Sequence, residues 1–154
     1  ISNFFSREYK MNITGLRLPI VIGPGLEYRG VASGISDMAK ASNVKKPIEV
    51  NMPDTPLDII YIKDVAEMFV NLVNSKLPLK NIYNSPSYRT YADKIAKQFN
   101  KESKISYIKV NNIGTGATYP RMLSNSLQKD LEYRLKYSLE KSIKDWLNEL
   151  KPTS

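Results

Sequence analysis

The sequence predicts an α/β fold with parallel strand pairing. Three observations carry that expectation. Short runs rich in branched residues, such as "ITGLRLPIVI" and "DIIYI", alternate with longer segments of helical period. Some of these runs are apolar throughout, the pattern of strands covered by helices on both faces. Helix-start signals also follow directly on strand runs, as in "DIIYIKDVAEMF", which is the punctuation of strand–helix units.

Taken in order, "SNFFSREYK" reads as the end of a helix, with Phe4 and Phe5 among polar residues. The run 13–22 reads as one strand buried on both faces, broken by the Gly-Pro-Gly turn of Gly23 to Gly25. "VASGISDMAKAS" is a short helix and "PIEV" a strand, followed by the proline-bounded loop "NMPDTP". "DIIYI" is a buried strand. Asp64 then starts a helix, with Glu67 completing a capping box, and Ala66, Phe69, Val70 and Val73 share one apolar face. "NIYNS" is a further strand. Thr90 and Asp93 repeat the capping pattern ahead of a helix whose Ile95 and Phe99 share a face. "KISYIKV" alternates as a strand and "NNIGTGATYP" is a loop. "SLQKDLEY" reads as a helix. A last helix is capped by Ser138, with Leu139, Ile143, Trp146, Leu147 and Leu150 on one side.

Composition narrows the chemistry. The 154 residues, 42% hydrophobic and 25% charged, suffice for a domain with a core. There is no cysteine and no histidine, which excludes disulfides and thiolates and removes the commonest metal ligand and neutral-pH base. Acid–base work would fall to Tyr, Lys, Asp, Glu, Ser or Thr. No apolar run reaches the roughly 20 residues that span a bilayer, and the first residues lack the form of a signal peptide, so a cytoplasmic protein is expected. The net charge of +8 is scattered rather than blocked, and reads as a lysine-rich surface or as a site for an anionic partner. "GTG" at Gly114 to Gly116 does not develop into a dinucleotide fingerprint.

The blocks "LRLPIVIGPG", "LDIIYIKDVAEMFV", "NIYNSPSYRTYADKIAK" and "YPRMLSNSLQKDLEYRLKYSLEKSIKDWL" resemble, in the same order, the second half of an extended short-chain dehydrogenase/reductase of the NAD-dependent epimerase/dehydratase family. The resemblance covers nearly the whole chain. It implies the C-terminal part of a Rossmann-type fold: residues 1–154 as a single substrate-binding portion, with "ITGLRLP" and "NIYNS" as two strands of the main parallel sheet beside a small α/β substrate lobe. It further implies NAD or NADP as cofactor, with Pro19 nearest the nicotinamide and the backbone of Leu18, Pro19, Ile20 and Val21 lining that end of its site. Ligands of open α/β sheets lie beyond the carboxyl ends of strands, which is where this segment falls.

The resemblance also implies what the chain lacks. The Tyr-x-x-x-Lys pair and the glycine fingerprint would lie upstream of Ile1, because Tyr9 is followed four residues on by Ile13. The chain by itself is therefore expected to be inactive, with sheet edges and an apolar helix face uncovered, and the upstream half of the same protein as its partner. A homodimer is a second expectation. The substrate would be a small molecule, a sugar or similar hydroxylated compound, met by Ile20, Tyr28, Arg29, Leu57 and Arg121.

Two departures bear on the substrate. Ile20 stands where nucleotide-sugar enzymes of the family carry an asparagine, and Leu57 where they carry an arginine, and both are phosphate contacts there. Arg29, Arg89 and Arg121 are alternative anion ligands, and each also reads as an ordinary surface or structural arginine. Arg17 is expected in an ion pair, Asp64 as a helix cap, and Tyr61 in the core. Two other readings stay open: a basic module for nucleic acid or another anion, expected to bind in a steeply salt-dependent way, and a non-catalytic paralogue.

Overall fold

A computed structural model describes residues 2–25, 32–104, 107–114, 121–122 and 126–150. The elements run α1 (Ser2–Glu8), β1 (Gly15–Arg17), β2 (Ile20–Ile22), α2 (Ser33–Val44), β3 (Ile48–Met52), β4 (Leu57–Tyr61), α3 (Ile62–Asn74), β5 (Ile82–Asn84), β6 (Tyr88–Thr90), α4 (Ala92–Ser103), β7 (Ile108–Asn112), α5 (Ser126–Asp130) and α6 (Leu139–Glu149). Among the described residues the strands form three small sheets: β1 with β5, β2-β4-β6, and β3 with β7. All pairings are parallel except β4 with β6. The predicted α/β class with parallel pairing is what the chain adopts.

The run 13–22 is not one strand. It is split at Leu18–Pro19 into β1 and β2, which belong to different sheets. Proline has no N–H to give to a ladder, so the chain changes sheet at Pro19 rather than at the later Gly-Pro-Gly turn. That turn has its own cause. Gly23 has φ +145, and a Cβ there would stand 2.4 Å from Cγ2 of Ile62 and 3.2 Å from the Tyr61 ring. The end of β2 is thus pressed against the junction of β4 and α3.

β4 is buried at every position and divides the interior. Leu57, Ile59 and Tyr61 enter the larger core, with Ile35, Met38, Met52, Ile95, Phe99, Ile143 and Trp146 from neighbouring elements. Ile60, on the opposite face, enters a smaller core with Val65, Met68, Leu72, Tyr83, Leu127 and Tyr133. The period-two alternation of a strand sends neighbouring residues to opposite sides, so one short strand seeds both cores. Around the larger core, α4 is tied to β7 by Asn100, whose side chain donates to the Ile108 carbonyl at 3.0 Å and accepts the Ile108 N–H at 2.8 Å.

Two expected helix caps are corrected. α3 begins directly after β4, with Tyr61 as its N-cap, so Asp64 lies inside the first turn. The N-cap of α4 is Tyr91, without a side-chain capping bond, because Thr90 is taken into β6 opposite Leu57. The expected helix "SLQKDLEY" is cut to Ser126–Asp130, since Glu132 takes φ +51 and Tyr133 turns to meet Asp64. Ser138 caps α6 as expected, accepting the Lys141 N–H at 3.3 Å.

Candidate functional site

The carboxyl ends of β1 and β5 lie side by side, with Arg17 opposite Asn84. Beyond them the Ser85 N–H donates to the Arg17 carbonyl at 3.0 Å, extending the ladder by one bond. Ser85 is fully buried there, and its hydroxyl has no hydrogen-bond partner among the described residues. Leu18, 36% exposed, and the half-buried Pro19 carry the chain from this edge to β2. Ile20 then packs toward the larger core and Val21 toward the smaller one. Of the segment expected near a cofactor, Leu18 and Pro19 offer side-chain surface, while Ile20 and Val21 pair with Ile59 and Ile60 of β4.

A second group forms around Asp58, which is 5% exposed. One carboxylate oxygen accepts from Arg89 across the antiparallel ladder at 3.1 Å, and the other accepts the Met122 N–H at 2.6 Å. A nearly buried carboxylate requires such partners. Arg121, the residue before Met122, is exposed. Arg89 is thus the structural arginine of one of its two expected readings. Leu57, expected to meet the substrate, is only 1% exposed and is part of the larger core. Arg17 is exposed and makes no ion pair among the described residues, so the expected pair is not found there. Tyr28 and Arg29 lie outside the described residues.

Two tyrosines carry strongly perturbed hydroxyls, and both are structural. The Tyr61 hydroxyl donates to Asp145 of α6 at 2.6 Å. Burial first, and then the bond to Asp145, push its pKa up beyond the ordinary tyrosine range. Lys63 completes the cluster, at 2.7 Å from Asp145 and 2.8 Å from Glu149. The Tyr133 hydroxyl donates to Asp64 at 2.6 Å, and its pKa is raised in the same way, by burial and then by Asp64. Burial and the Asp64 charge also raise Tyr88, to about 12. A tyrosine that serves as acid and base needs its phenolate stabilised; here each is held neutral by burial and a carboxylate. Tyr61 is therefore a core tyrosine, as expected.

Asp64, fully buried, is the residue the sequence reading placed in the wrong role. It accepts from the Tyr133 hydroxyl and from the N–H groups of Lys136, at 2.9 Å, and Tyr137, at 3.3 Å. It pins the segment between α5 and α6 to the start of α3. Its partners lie about 70 positions downstream in sequence, at separations of 69 to 73, so no local pattern announces them.

Two concavities complete the picture. One of about 260 Å³ sits at the carboxyl ends of β3 and β7 and the start of α4, lined by Met52, Asp54, Tyr91, Asp93 and Asn112 among others. The other, about 620 Å³, is a groove between the segment after α1 and the outer face of α3. No group of carboxylates suited to a metal ion occurs among the described residues, and no helix there is long and apolar enough to cross a membrane.

The sequence matches no protein-family model and no curated protein. Its fold, however, is found in solved structures. L-threonine 3-dehydrogenase from Trypanosoma brucei matches with a TM-score of 0.81 at 18% identity, over 97% of this chain and 49% of that one. UDP-N-acetylglucosamine 4-epimerase from Bacillus cereus matches with a TM-score of 0.79 at 13% identity, over 99% of this chain and 50% of that one. UDP-glucose 4-epimerase from Thermus thermophilus, in complex with NAD, matches with a TM-score of 0.79 at 18% identity, over 99% and 50%. The chain spans about half the length of each of these structures. At such identities the likeness establishes the fold, a half-length of the Rossmann-type architecture.

Proposed function

We propose that this chain is the substrate-side portion of an NAD- or NADP-dependent oxidoreductase of the epimerase/dehydrogenase kind. The observation that carries the reading is the match of nearly the whole chain to half of a threonine dehydrogenase and of an epimerase holding NAD. The edge at Leu18 and Pro19, beyond the carboxyl ends of parallel strands, is the position where open α/β sheets take their ligands. In this reading Leu18 and Pro19, with the backbone of Ile20 and Val21, lie against the nicotinamide, and Arg121, Tyr28 and Arg29 meet the substrate.

The residues fit a supporting role in catalysis. Tyr61 and Tyr133 are held neutral by burial and a carboxylate, which suits neither to the part of a reactive tyrosine. The cofactor would supply the hydride acceptor. This chain would shape the nicotinamide end of its site and hold the hydroxylated substrate against it. Ile20 and Leu57, apolar and packed, place no charge on a pyrophosphate, which favours a substrate with few phosphate contacts.

Titration of NAD⁺ and NADP⁺ onto the native protein, with L-threonine and a UDP-sugar as candidate substrates, tests the reading. Saturable dinucleotide binding, with reduction at 340 nm or with sugar epimerisation, supports it. Binding of nucleic acid that collapses with salt, in the absence of dinucleotide binding, would defeat it.

A further inference from the structure

The net charge of +8 is scattered along the sequence, but the fold gathers part of it at one end of the β3–β7 pair. α2 passes into β3 through residues 45–47, and α4 into β7 through residues 104–107. The two helices pack against each other and the two strands are parallel, so both helix carboxyl ends lie at the amino ends of the strands. The Ile48 N–H closes that end by donating to the Tyr107 carbonyl at 3.0 Å. Asn100 fastens α4 to the same place through Ile108.

Lysines occupy this end. Lys45 and Lys104 are the C-caps of α2 and α4, and Lys46 follows the first of them. All three are exposed and none makes an ion pair among the described residues, while nearby Lys101 is engaged by Glu140 and Glu102 by Gln98. Each helix end offers a cation about half a negative charge, which leaves most of the charge of three ammonium groups uncompensated. Lys45 and Lys104 also stand in the left-handed region, at φ 57 and φ 60, where glycine is the residue without strain. The bonds that close the helix ends come from the backbone N–H groups of Lys45, Lys46 and Lys104, which glycine would supply equally. The backbone closes these turns, and the lysine side chains are left to another task.

Tyr107, 64% exposed, lies at the joint between the two turns. An exposed ring amid unpaired cations is the combination that takes a single-stranded nucleic acid, because the cations follow the phosphates and the ring stacks on a base. An acidic polypeptide would satisfy the lysines and give the ring nothing to stack on, and a duplex keeps its bases stacked on one another.

We infer that the carboxyl ends of α2 and α4, with the amino ends of β3 and β7, form a surface for single-stranded nucleic acid, with Lys45, Lys46 and Lys104 against phosphates and Tyr107 against a base. The surface is built without any residue assigned to the cofactor or the substrate, so the inference does not rest on the functional reading.

Fluorescence anisotropy of a labelled oligothymidylate of about ten nucleotides, added to the native protein over a range of salt, tests it. With three phosphates neutralised, log K is expected to fall with log salt at a slope of about −2. Lys45→Gly and Lys104→Gly are each expected to reduce that slope by about 0.7 while keeping or raising the urea midpoint. Lys46→Gln, which leaves the left-handed positions alone, is expected to do the same to the slope. Tyr107→Ala should weaken binding about ten-fold at an unchanged slope. Lys97→Gln, on a lysine engaged by Asp93, should change neither. Absence of binding at low salt overturns the inference, and so does a slope that survives the three lysine variants. Tighter binding of a duplex of equal length overturns it as well, as does binding that is indifferent to Tyr107→Ala and is matched by polyglutamate. Displacement of the oligonucleotide by NAD⁺ would put it on a dinucleotide site, with the same consequence. Failure of NAD⁺ to bind at all defeats the functional reading alone and leaves this one standing.

Discussion

Single residues hold this fold at places where their neighbours leave no alternative. Gly23 is one: a Cβ would collide with Ile62, and φ +145 strains any other side chain. Gly23→Ala is expected to destabilise the chain by about 3 kcal/mol, read as a lower urea midpoint with an unchanged slope. Asp64 is another. Asp64→Ala removes the acceptor of one buried hydroxyl and two part-buried backbone N–H groups, and is expected to cost about 3 kcal/mol. Limited proteolysis should then cut between Leu131 and Ser138, and an unchanged digestion pattern would show that the segment does not depend on Asp64. The glycine was legible in the sequence as part of a turn. Asp64 was legible only as a helix-start residue, because its partners are distant in sequence and a local pattern carries no information about them.

At the scale of elements, α3 and α6 show what periodicity can and cannot decide. Ser138, Ile143 and Trp146 were legible because one cap and one stripe specify one inward face. In α3 the periodicity picked out Ala66, Phe69, Val70 and Val73, which are exposed, whereas the buried stripe is Val65, Met68 and Leu72. Met68→Ala, on the buried stripe, is expected to cost about 2–5 kcal/mol, whereas Val73→Lys should change the stability of these 154 residues by less than about 0.5 kcal/mol. Comparable losses from the two would contradict the assignment of faces.

The clamp between α3, β4 and α6 adds a pH dependence. Burial opposes ionisation of Asp145, but the bonds from Lys63 and Tyr61 outweigh it and hold its pKa below the ordinary 3.8. In that window the unfolded chain binds more protons than the folded one, so the contribution is present above pH 3.8 and is lost as the pH falls through the folded value. Lys63 is raised above its ordinary 10.5 by its bonds to Asp145 and Glu149, so its share is intact below 10.5 and lost as the pH rises through the folded value. Urea midpoints of the wild type and Asp145→Asn should therefore converge as the pH falls below 3.8 and differ most near neutrality. A constant difference would remove Asp145 from the account.

For the whole molecule, β4 couples the two cores. Its alternate residues enter opposite interiors, so neither core can be lost while β4 remains in place. Trp146, the single tryptophan, reports only the larger core, while far-ultraviolet circular dichroism reports both. Their unfolding curves are expected to coincide, and a separate tryptophan transition would mean that the cores unfold independently. The outer surface of α3, with Phe69, Val70 and Val73 exposed, and the two-stranded β1–β5 pair belong to this scale too.

The sequence by itself determined the α/β class, the order of the helices and the cap of α6, because each depends on residues close together along the chain. The resemblance to half of a larger fold was also readable there, from blocks kept in order. Only the tertiary structure decided that Pro19 divides one apolar run between two sheets, and that Leu57 is core. It alone showed that Asp64 holds a distant segment and that Arg89 and Met122 share Asp58. Those outcomes turn on which distant surfaces meet, and a one-dimensional pattern of apolar and polar residues leaves that choice open until the chain is packed.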